Sequence, residues 1–259
     1  MRIMTFNMNG IRSSRKKGFF EWFQTQDIDV LCIQETKAQL SDFEEEDFQV
    51  PGYTRIHADA QKKGYSGVAI YSRRPPISYV CEVGLDQADQ EGRFAQMDFE
   101  TFSVVSLYLP SGAAGPHRQK AKFEFLDFWG PWMQREIQKD RPLLICGDWN
   151  IVHQEIDIRN FKSNQKNSGC LPEERAWLDH LIKKQGWIDC FRVINPEPHQ
   201  YTWWSNRGNA RENNVGWRID YQLGTPHFKS LVKGAEIYKD QWFSDHAPLT
   251  VEYEMEGLI

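Results

Sequence analysis

Cysteine is scarce and unpatterned. There are five, Cys32, Cys81, Cys146, Cys170 and Cys190, and no two form a CxxC pair. An odd count, with Cys32 and Cys146 inside apolar runs (VLCIQ, LLICGD), excludes a disulfide framework and points to a reducing compartment. No apolar run approaches the ~18 residues that a membrane span needs. Internal repeats, low-complexity stretches and linker-like shifts of composition are also missing. So is a basic excess: 31 Lys and Arg stand against 36 Asp and Glu, a net charge of −5, without the domain-wide positive charge usual in nucleic-acid binders. Finally, there is no GxxxxGK[ST], no HExxH, no Cys/His zinc spacing and no GxSxG. That removes the phosphate-loop, zinc-protease and nucleophile-elbow chemistries.

What is present is an ordinary globular composition, 40% hydrophobic and 26% charged over 259 residues. A chain of this length buries roughly three quarters of its unfolded surface and needs no staple. We expect one domain over residues 1–259, in an α/β or mixed-sandwich arrangement. Met1-Arg2-Ile3-Met4 passes straight into a strand-like segment, so no signal peptide and a cytoplasmic location are expected. Charge is segregated. Asp42 and Glu44–Asp47 form one acidic block and Glu252, Glu254 and Glu256 another; Arg12, Arg15, Lys16 and Lys17 are purely basic, as are Lys62-Lys63 and Arg159, Lys162 and Lys166. Each cluster alone reads as a solvated face, but separation of this kind leaves room for a phosphate-binding side.

Short β-branched apolar runs predict strands at Arg2–Phe6, Val30–Ile33, Gly67–Tyr71, Val104–Leu109, Leu143–Cys146, Trp217–Leu223 and Leu249–Tyr253. Helical stripes lie between them at Phe19/Trp22/Phe23 and Phe125/Phe128/Trp129/Trp132, the second expected to kink or end at Gly130-Pro131. Pro172–Lys184 is the cleanest helix, opened by Pro172, Glu173 and Glu174 and closed by Lys183, Lys184 and Gly186. Tyr201–Trp204 reads as a strand, which turns Trp203 and Trp204 to opposite faces.

Polar residues stand where these strands end: Asn7, Glu35, Tyr108, Asp148 with Asn150, and Asp245-His246, while Asp220 lies within an apolar strand. Taken singly, Asp148-Trp149-Asn150 is a turn, Glu35 a helix-start charge and Tyr108 a rim aromatic. Asp220 differs, because a carboxylate in an apolar strand needs a charged or hydrogen-bonding partner, and a histidine would serve. Together they suit metal-assisted phosphoryl transfer. Glu35 with Asn7 or Asp245 could hold a hard cation such as Mg²⁺. An Asp or His would position water, an Asp behind the His would fix its tautomer, and Asn150 and Tyr108 would hold phosphate oxygens.

These motifs resemble the exonuclease III-type apurinic/apyrimidinic (AP) endonucleases of the wider endonuclease/exonuclease/phosphatase superfamily. The matching segments are Phe6–Gly10, Leu31–Lys37, Gly64–Val68, Tyr108–Pro110, Gly147–Asn150, Asn213–Tyr221 and Ser244–Leu249, spread over nearly the whole chain. The resemblance implies a four-layered α/β sandwich of the DNase I-like kind, two facing mixed sheets flanked by helices. It implies a metal set of Asn7, Glu35, Asp148, Asn150, Asp245 and His246 for Mg²⁺, or Mn²⁺ in its place. It also implies a catalytic set of Tyr108, Asp148, Asn150, Asp220 and His246, with either Asp148 or His246 as base. DNA contacts would come from Arg12, Lys37, Tyr65, Asn160, Asn164 and Asn167. Trp203, Trp217 and Ile219 would wall a slot for a flipped-out baseless sugar, the cheapest nucleotide to extrude.

Departures from the family pattern are Asn9 where many relatives carry Asp, Ser111 where Asn or Gln is common, and a Gly112–Gly115 loop without the arginine that some relatives insert into the duplex. The long N-terminal extension of some relatives is not seen either. The activity implied is hydrolysis 5′ to abasic sites in double-stranded DNA, leaving a 3′-hydroxyl, with trimming of blocked 3′ ends and some 3′→5′ exonuclease action. A monomer with no membrane partner is expected. Rival readings are a paralogue confined to 3′-exonuclease or 3′-phosphatase work and a phosphoesterase acting on something other than DNA. Gly169, lacking a side chain, is expected to keep the sugar pocket accessible.

Overall fold

Alternation along the apolar runs decides the architecture. The computed structural model describes residues 1–44 and 48–255; Glu45, Glu46 and Asp47 of the first acidic block and Glu256 of the second lie outside the described residues. One mixed sheet contains β1 (Arg2–Asn7), β2 (Val30–Gln34), β3 (Thr54–Ala58), β4 (Val68–Ser72), β13 (Val232–Ile237) and β14 (Leu249–Tyr253), in the order β13-β14-β1-β2-β4-β3. The other contains β5 (Ser78–Val80), β6 (Phe94–Asp98), β7 (Ser103–Tyr108), β8 (Leu143–Asp148), β9 (Ile188–Asp189) and β12 (Asp220–Gly224), in the order β5-β6-β7-β8-β12-β9. A small ribbon pairs β10 (Trp203–Trp204) with β11 (Gly216–Trp217). The helices are α1 (Ile11–Lys16), α2 (Phe19–Gln24), α3 (Asp86–Gln90), α4 (Pro116–Ile137), α5 (Phe161–Asn164), α6 (Pro172–His180) and α7 (Cys190–Ile194).

Inward residues Ile3, Val30 and Cys32 of the first sheet meet Met97, Val104 and Leu144 of the second. Their neighbours Met4, Phe6, Leu31 and Ile33 turn outward onto Phe19, Phe20 and Phe23. In the second sheet Val105, Leu107 and Ile145 turn outward onto Phe125 and Trp129 of α4 and Leu178 of α6. Helix, sheet, sheet, helix: the four layers implied by the resemblance are present. Each such side chain contributes roughly 1.5–3 kcal/mol by burial, so strands buried on both faces read as continuous apolar runs. A polar seam ties the two sheets. Gln34 Nε2 donates to Ser106 Oγ (3.0 Å), Gln222 Nε2 to the Ile3 carbonyl (2.9 Å) and the Tyr253 hydroxyl to Gln222 Oε1 (2.8 Å).

Three expectations change. The strand expected over Trp217–Leu223 is broken between β11 and β12, because Arg218 turns inward to Asp157 (2.8 Å) and Asp189 (2.7 Å). Asp220 therefore opens β12 instead of lying mid-strand. Pro131 neither ends nor breaks α4, which runs through to Ile137 with Trp129, Trp132 and Met133 buried on both sides of it. The Pro172 helix is α-helical to His180, widens into a π turn over Leu181–Gln185 and stops at Gly186, whose φ is +92°. Trp203 and Trp204 do face opposite ways, with Trp204 buried and Trp203 half-buried. Among the described residues no helix is long and apolar enough to cross a membrane.

Candidate active site

Strand direction and register carry the polar strand ends to one rim. Tyr108, Asp148 and Asp220 are aligned partners across β7, β8 and β12. On the facing sheet Asn7 pairs with Gln34, so Glu35 emerges beside it. β14 runs antiparallel to β1, which places the preceding Asp245-His246 at the same end. An isolated bridge between Trp203 and His246 fastens the ribbon there. Glu35, Tyr108, Asp148, Asn150, Asp245 and His246 all line a cleft of about 1030 Å³, walled on one side by Trp203, Trp217 and Ile219. Glu35, Lys37 and Asn150 hold positive φ values of 50°, 50° and 51°. Non-glycine residues in this region cost energy and persist where the surroundings dictate the geometry.

The contacts are specific. Asp148 Oδ2 accepts from Asn7 Nδ2 (2.8 Å) and Asn150 Nδ2 (3.1 Å), and its Oδ1 from the Asn150 N–H (2.9 Å). Asn7 Nδ2 also donates to Glu35 Oε1 (2.9 Å), and Asn7 Oδ1 accepts from the Asn9 N–H (2.9 Å). Asn7 is fully buried; its Nδ2 ties the two carboxylates together while its Oδ1 holds the Asn9 N–H. His246 Nδ1 bonds Asp220 Oδ2 (2.9 Å) while its Nε2 faces Asp148 Oδ2 at 3.9 Å. The histidine partner expected for Asp220 is thus found. Lys37 Nζ lies 2.9 Å from Glu35 Oε2 and also donates to Asn9, whose Nδ2 donates to Asp245 Oδ1 (3.0 Å). Trp203 Nε1 donates to Asp245 Oδ2 (3.1 Å).

Electrostatics separate these groups. Burial, with the nearby charges of Asp220 and Glu35, pushes Asp148 up to about 7 despite the opposing pull of His246. Burial alone would lower His246, but Asp220, Asp148 and Asp245 outweigh it and raise it to about 10. Glu35 resists its burial through Lys37 and the Asn7 hydrogen bond and stays below the usual carboxylate range. Asp245 does so through His246, Asn9 and Trp203. Burial and the Glu35 charge hold Tyr108 well above its ordinary value, so its hydroxyl keeps its proton and can donate.

The donor set fits a hard divalent cation. Glu35 and Asp245 are ionised oxygen donors at the cleft wall, the first of them paired with Lys37. One ligand atom each from Asp148, Asp220 and His246 lies within 4.8 Å of the others, and Asp220 Oδ1 is buried without a partner. No sulfur ligand takes part.

The expected DNA contacts scatter more widely. Asn167 lines the cleft, donating Nδ2 to Asn164 Oδ1 (2.9 Å), while Asn164 Nδ2 donates to the Asn160 carbonyl (2.9 Å). Arg12 pairs with Asp42 (2.8 Å). The Tyr65 hydroxyl accepts from Arg93 (2.9 Å) and Arg118, which hold it in place. Trp203 and Trp217 meet edge to face, 5.8 Å apart at 87°. Gly169 is constrained by its own backbone. With φ at +88°, a Cβ there would stand 2.9 Å from the Asn150 carbonyl oxygen and 3.1 Å from Trp217 Cζ3, so backbone as well as pocket require glycine.

Sequence reading missed the bolts behind this wall. Lys122 and Glu174, both fully buried, pair at 2.6 Å. Lys122 Nζ donates to the Asn150 carbonyl (2.8 Å), and Glu174 Oε2 accepts from the N–H groups of Gly169 (2.6 Å) and Leu171 (3.1 Å). The pair joins the loop after β8 to the segment around Gly169 that lines the cleft. In sequence both residues look like ordinary helix-surface charges. Arg93 was missed likewise; it is buried, stacked 4.5 Å from the Tyr108 ring and bonded to the Tyr108 carbonyl (3.0 Å).

A cation-suited acidic rim between two facing sheets defines a phosphoester-cleaving class, and the comparisons narrow it. The chain belongs to the endonuclease/exonuclease/phosphatase family, whose model matches residues 4–246. It is 35% identical to an exodeoxyribonuclease of Bacillus subtilis, over 96% of this chain and 98% of that protein. It is 34% identical to the DNA repair nuclease APEX1 of Danio rerio, over 97% of this chain and 81% of that one. The solved structure of an AP endonuclease from Archaeoglobus fulgidus superposes with a TM-score of 0.88 at 26% identity, covering 98% and 99% of the two chains. The protein is a nuclease of the AP endonuclease and exonuclease group active in DNA repair.

Proposed function

We propose that this nuclease hydrolyses, with Mg²⁺, the phosphodiester 5′ to an abasic site in duplex DNA, leaving a 3′-hydroxyl. The same site would remove 3′-phosphates and other 3′ blocks and degrade 3′ ends slowly. The observation that carries this reading is the aromatic slot of Trp203, Trp217 and Ile219 opening into the same cleft as Glu35, Asp148, Asn150 and His246. An apolar slot beside a phosphate-handling rim suits a sugar without its base.

Glu35 and Asp245 would hold the cation, which supplies positive charge for the departing oxygen and the phosphate. Asp148, with its carboxylate raised to about 7, accepts the proton of the attacking water. Asn150 and Asn7 fix its plane by the hydrogen bonds given above. His246, raised to about 10 and braced by Asp220, would donate to a phosphate oxygen, which leaves the role of base to Asp148 in this reading. Tyr108, kept protonated, donates to a second. The 3′-oxygen would depart as an alkoxide stabilised by that cation and take its proton from solvent. Asn160, Asn164 and Asn167 would seat the backbone without reading sequence.

The test is an end-labelled duplex with a central abasic analogue beside a matched duplex ending in a 3′-phosphate, each with Mg²⁺ and with EDTA. EDTA-sensitive incision at the abasic site supports the reading. Phosphate release without incision would assign the chain to 3′-end processing, the reading favoured by its 35% identity to an exodeoxyribonuclease.

A further inference from the structure

A second cavity, about 140 Å³, lies beyond Asp245, which lines both it and the main cleft. That volume equals about five waters at liquid density, enough for a tetrahedral oxyanion. Its principal feature is Arg211. The guanidinium lies against both Trp204 and Trp242, its Cζ 4.8 Å from each ring centroid. One nitrogen donates to the Ser244 carbonyl (2.9 Å), while Nε and Nη2 are buried with no partner. The buried arginines of this protein are neutralised at close range, Arg93 by Glu91 at 2.6 Å and Arg218 by Asp157 at 2.8 Å, whereas Arg211 is only partly buried. Arg211 has no such carboxylate among the described residues. Asp245 is near enough to be felt, but its oxygens are engaged by Asn9, Ser244 and Trp203. A second cation, Lys239, stands outside the cavity lining, 6.0 Å from the Trp204 ring; burial, with the charge of Arg211, lowers its pKa. Glu212 is the acid at the cavity's edge. Trp242 leaves 47% of its surface exposed beside this pair.

A stacked, pre-oriented guanidinium with donors to spare, a second cation and an exposed indole are the parts of a nucleic-acid seat. The fork holds phosphate oxygens, and the indole offers a face to a sugar or base. Arg207, four residues before Arg211, adds a cation to the lining of the main cleft. We infer that Arg211, Lys239 and Trp242 bind a backbone phosphate and the adjoining nucleotide of the DNA strand where it runs out of the cleft past Asp245. The inference rests on the chain's being a nuclease of duplex DNA and adds a subsite to that reading. It accounts for how an acidic protein holds a polyanion: a few unpaired, positioned cations replace a general positive field.

The experiment measures kcat and KM for incision of an abasic-analogue duplex across a salt series. Wild type is compared with Arg211→Met, Lys239→Met and Trp242→Ala, on a duplex with long flanks and on duplexes with either flank cut short. Trp242 is exposed and Lys239 only half-buried, so these two variants keep the fold, which melting curves verify. On the long duplex KM should rise about 5- to 10-fold, with kcat changed by less than about twofold. The slope of log(kcat/KM) against log salt should fall by about 1 for each cation removed. The KM difference should vanish on one of the shortened duplexes. Unchanged KM and slope would overturn the inference, and so would an equal KM rise on all duplexes, which would reduce Arg211 to a prop for Ser244-Asp245. Inorganic phosphate alone is the other arm. If it quenches Trp242 fluorescence at millimolar concentration while flank length has no effect, the seat serves free phosphate and not DNA. Should wild type incise nothing, anisotropy of the same labelled duplexes still reads the seat, separating its failure from that of the nuclease reading.

Discussion

Arg218 and Asp220 are two residues apart and belong to two buried charge clusters with opposite characters. Arg218 donates to Asp157 at 2.8 and 3.2 Å and to Asp189 at 2.7 Å, and Arg192 adds 2.6 Å to Asp157. There the cations win: although burial opposes it, Asp157 is held down to about 2 by Arg218 and Arg192. Around Asp220 carboxylates gather with a single histidine between them, one Asp220 oxygen has no partner, and Asp148 is pushed up to about 7. Both clusters carry the cost of burying charge. The first is neutralised within itself and holds the break between β11 and β12. The second is left with negative charge and lone pairs to spare, facing a cleft. A buried cluster that still lacks cations and donors is prepared for something outside the chain, here a metal ion and a phosphate.

Substitutions in the two clusters should therefore fail in opposite ways. The largest effect is expected from Asp148→Asn: incision slower by about 10³ or more, with a melting temperature equal to or above that of wild type, since one of several crowded carboxylates is neutralised. Arg218→Met should instead cost about 3–5 kcal/mol of stability in denaturant titration, because Asp157 and Asp189 lose their buried partner, while the molecules that remain folded still cut. Trp217→Ala should sharpen the picture within the cleft. It should lower abasic incision about tenfold and 3′-phosphate release by a smaller factor, as expected if the wall positions the sugar and not the phosphate.

The pH dependence of stability follows from Asp157. Its folded value of about 2 lies below the unfolded value of 3.8, so its contribution is complete above pH 4 and is lost as pH falls toward 2. That contribution is about 2 kcal/mol, and acid unfolding monitored by circular dichroism should show it. A shallower acid limb in Asp157→Asn, measured against its own neutral-pH stability, is the check. The smallest effect belongs to Arg12→Ala. Its pair with Asp42 is solvent-exposed, so stability should change by less than about 1 kcal/mol. Only the salt slope of DNA binding should fall, by about 1.

The contrast also shows what the chain revealed before folding. Asn7, Glu35, Tyr108, Asp148 and Asp245-His246 were legible because each interrupts or ends an apolar run, and polar residues at strand ends collect on one rim. The four layers were legible through their resemblance to a known family and are explained by alternation in β1, β2, β7 and β8. Arg218 was not legible. Inside Trp217–Leu223 it looks like one more strand residue, and only Asp157 and Asp189, 61 and 29 positions away, show that it turns inward. Lys122 and Glu174 were hidden for the same reason, since their partners are backbone groups of distant loops. The strands β3, β6 and β13 went unseen because intermediate or exposed residues interrupt them. Nor did anything in the sequence show that Asn7 would bridge Glu35 and Asp148.

One measurement bears on the account most directly: single-turnover incision of the abasic duplex by Asp148→Asn and Arg218→Met, side by side, normalised to folded protein and paired with melting curves. The account predicts a stable, inactive first variant and an unstable, active second. A second variant that folds normally but cannot cut, with a first that cuts like wild type, would contradict it.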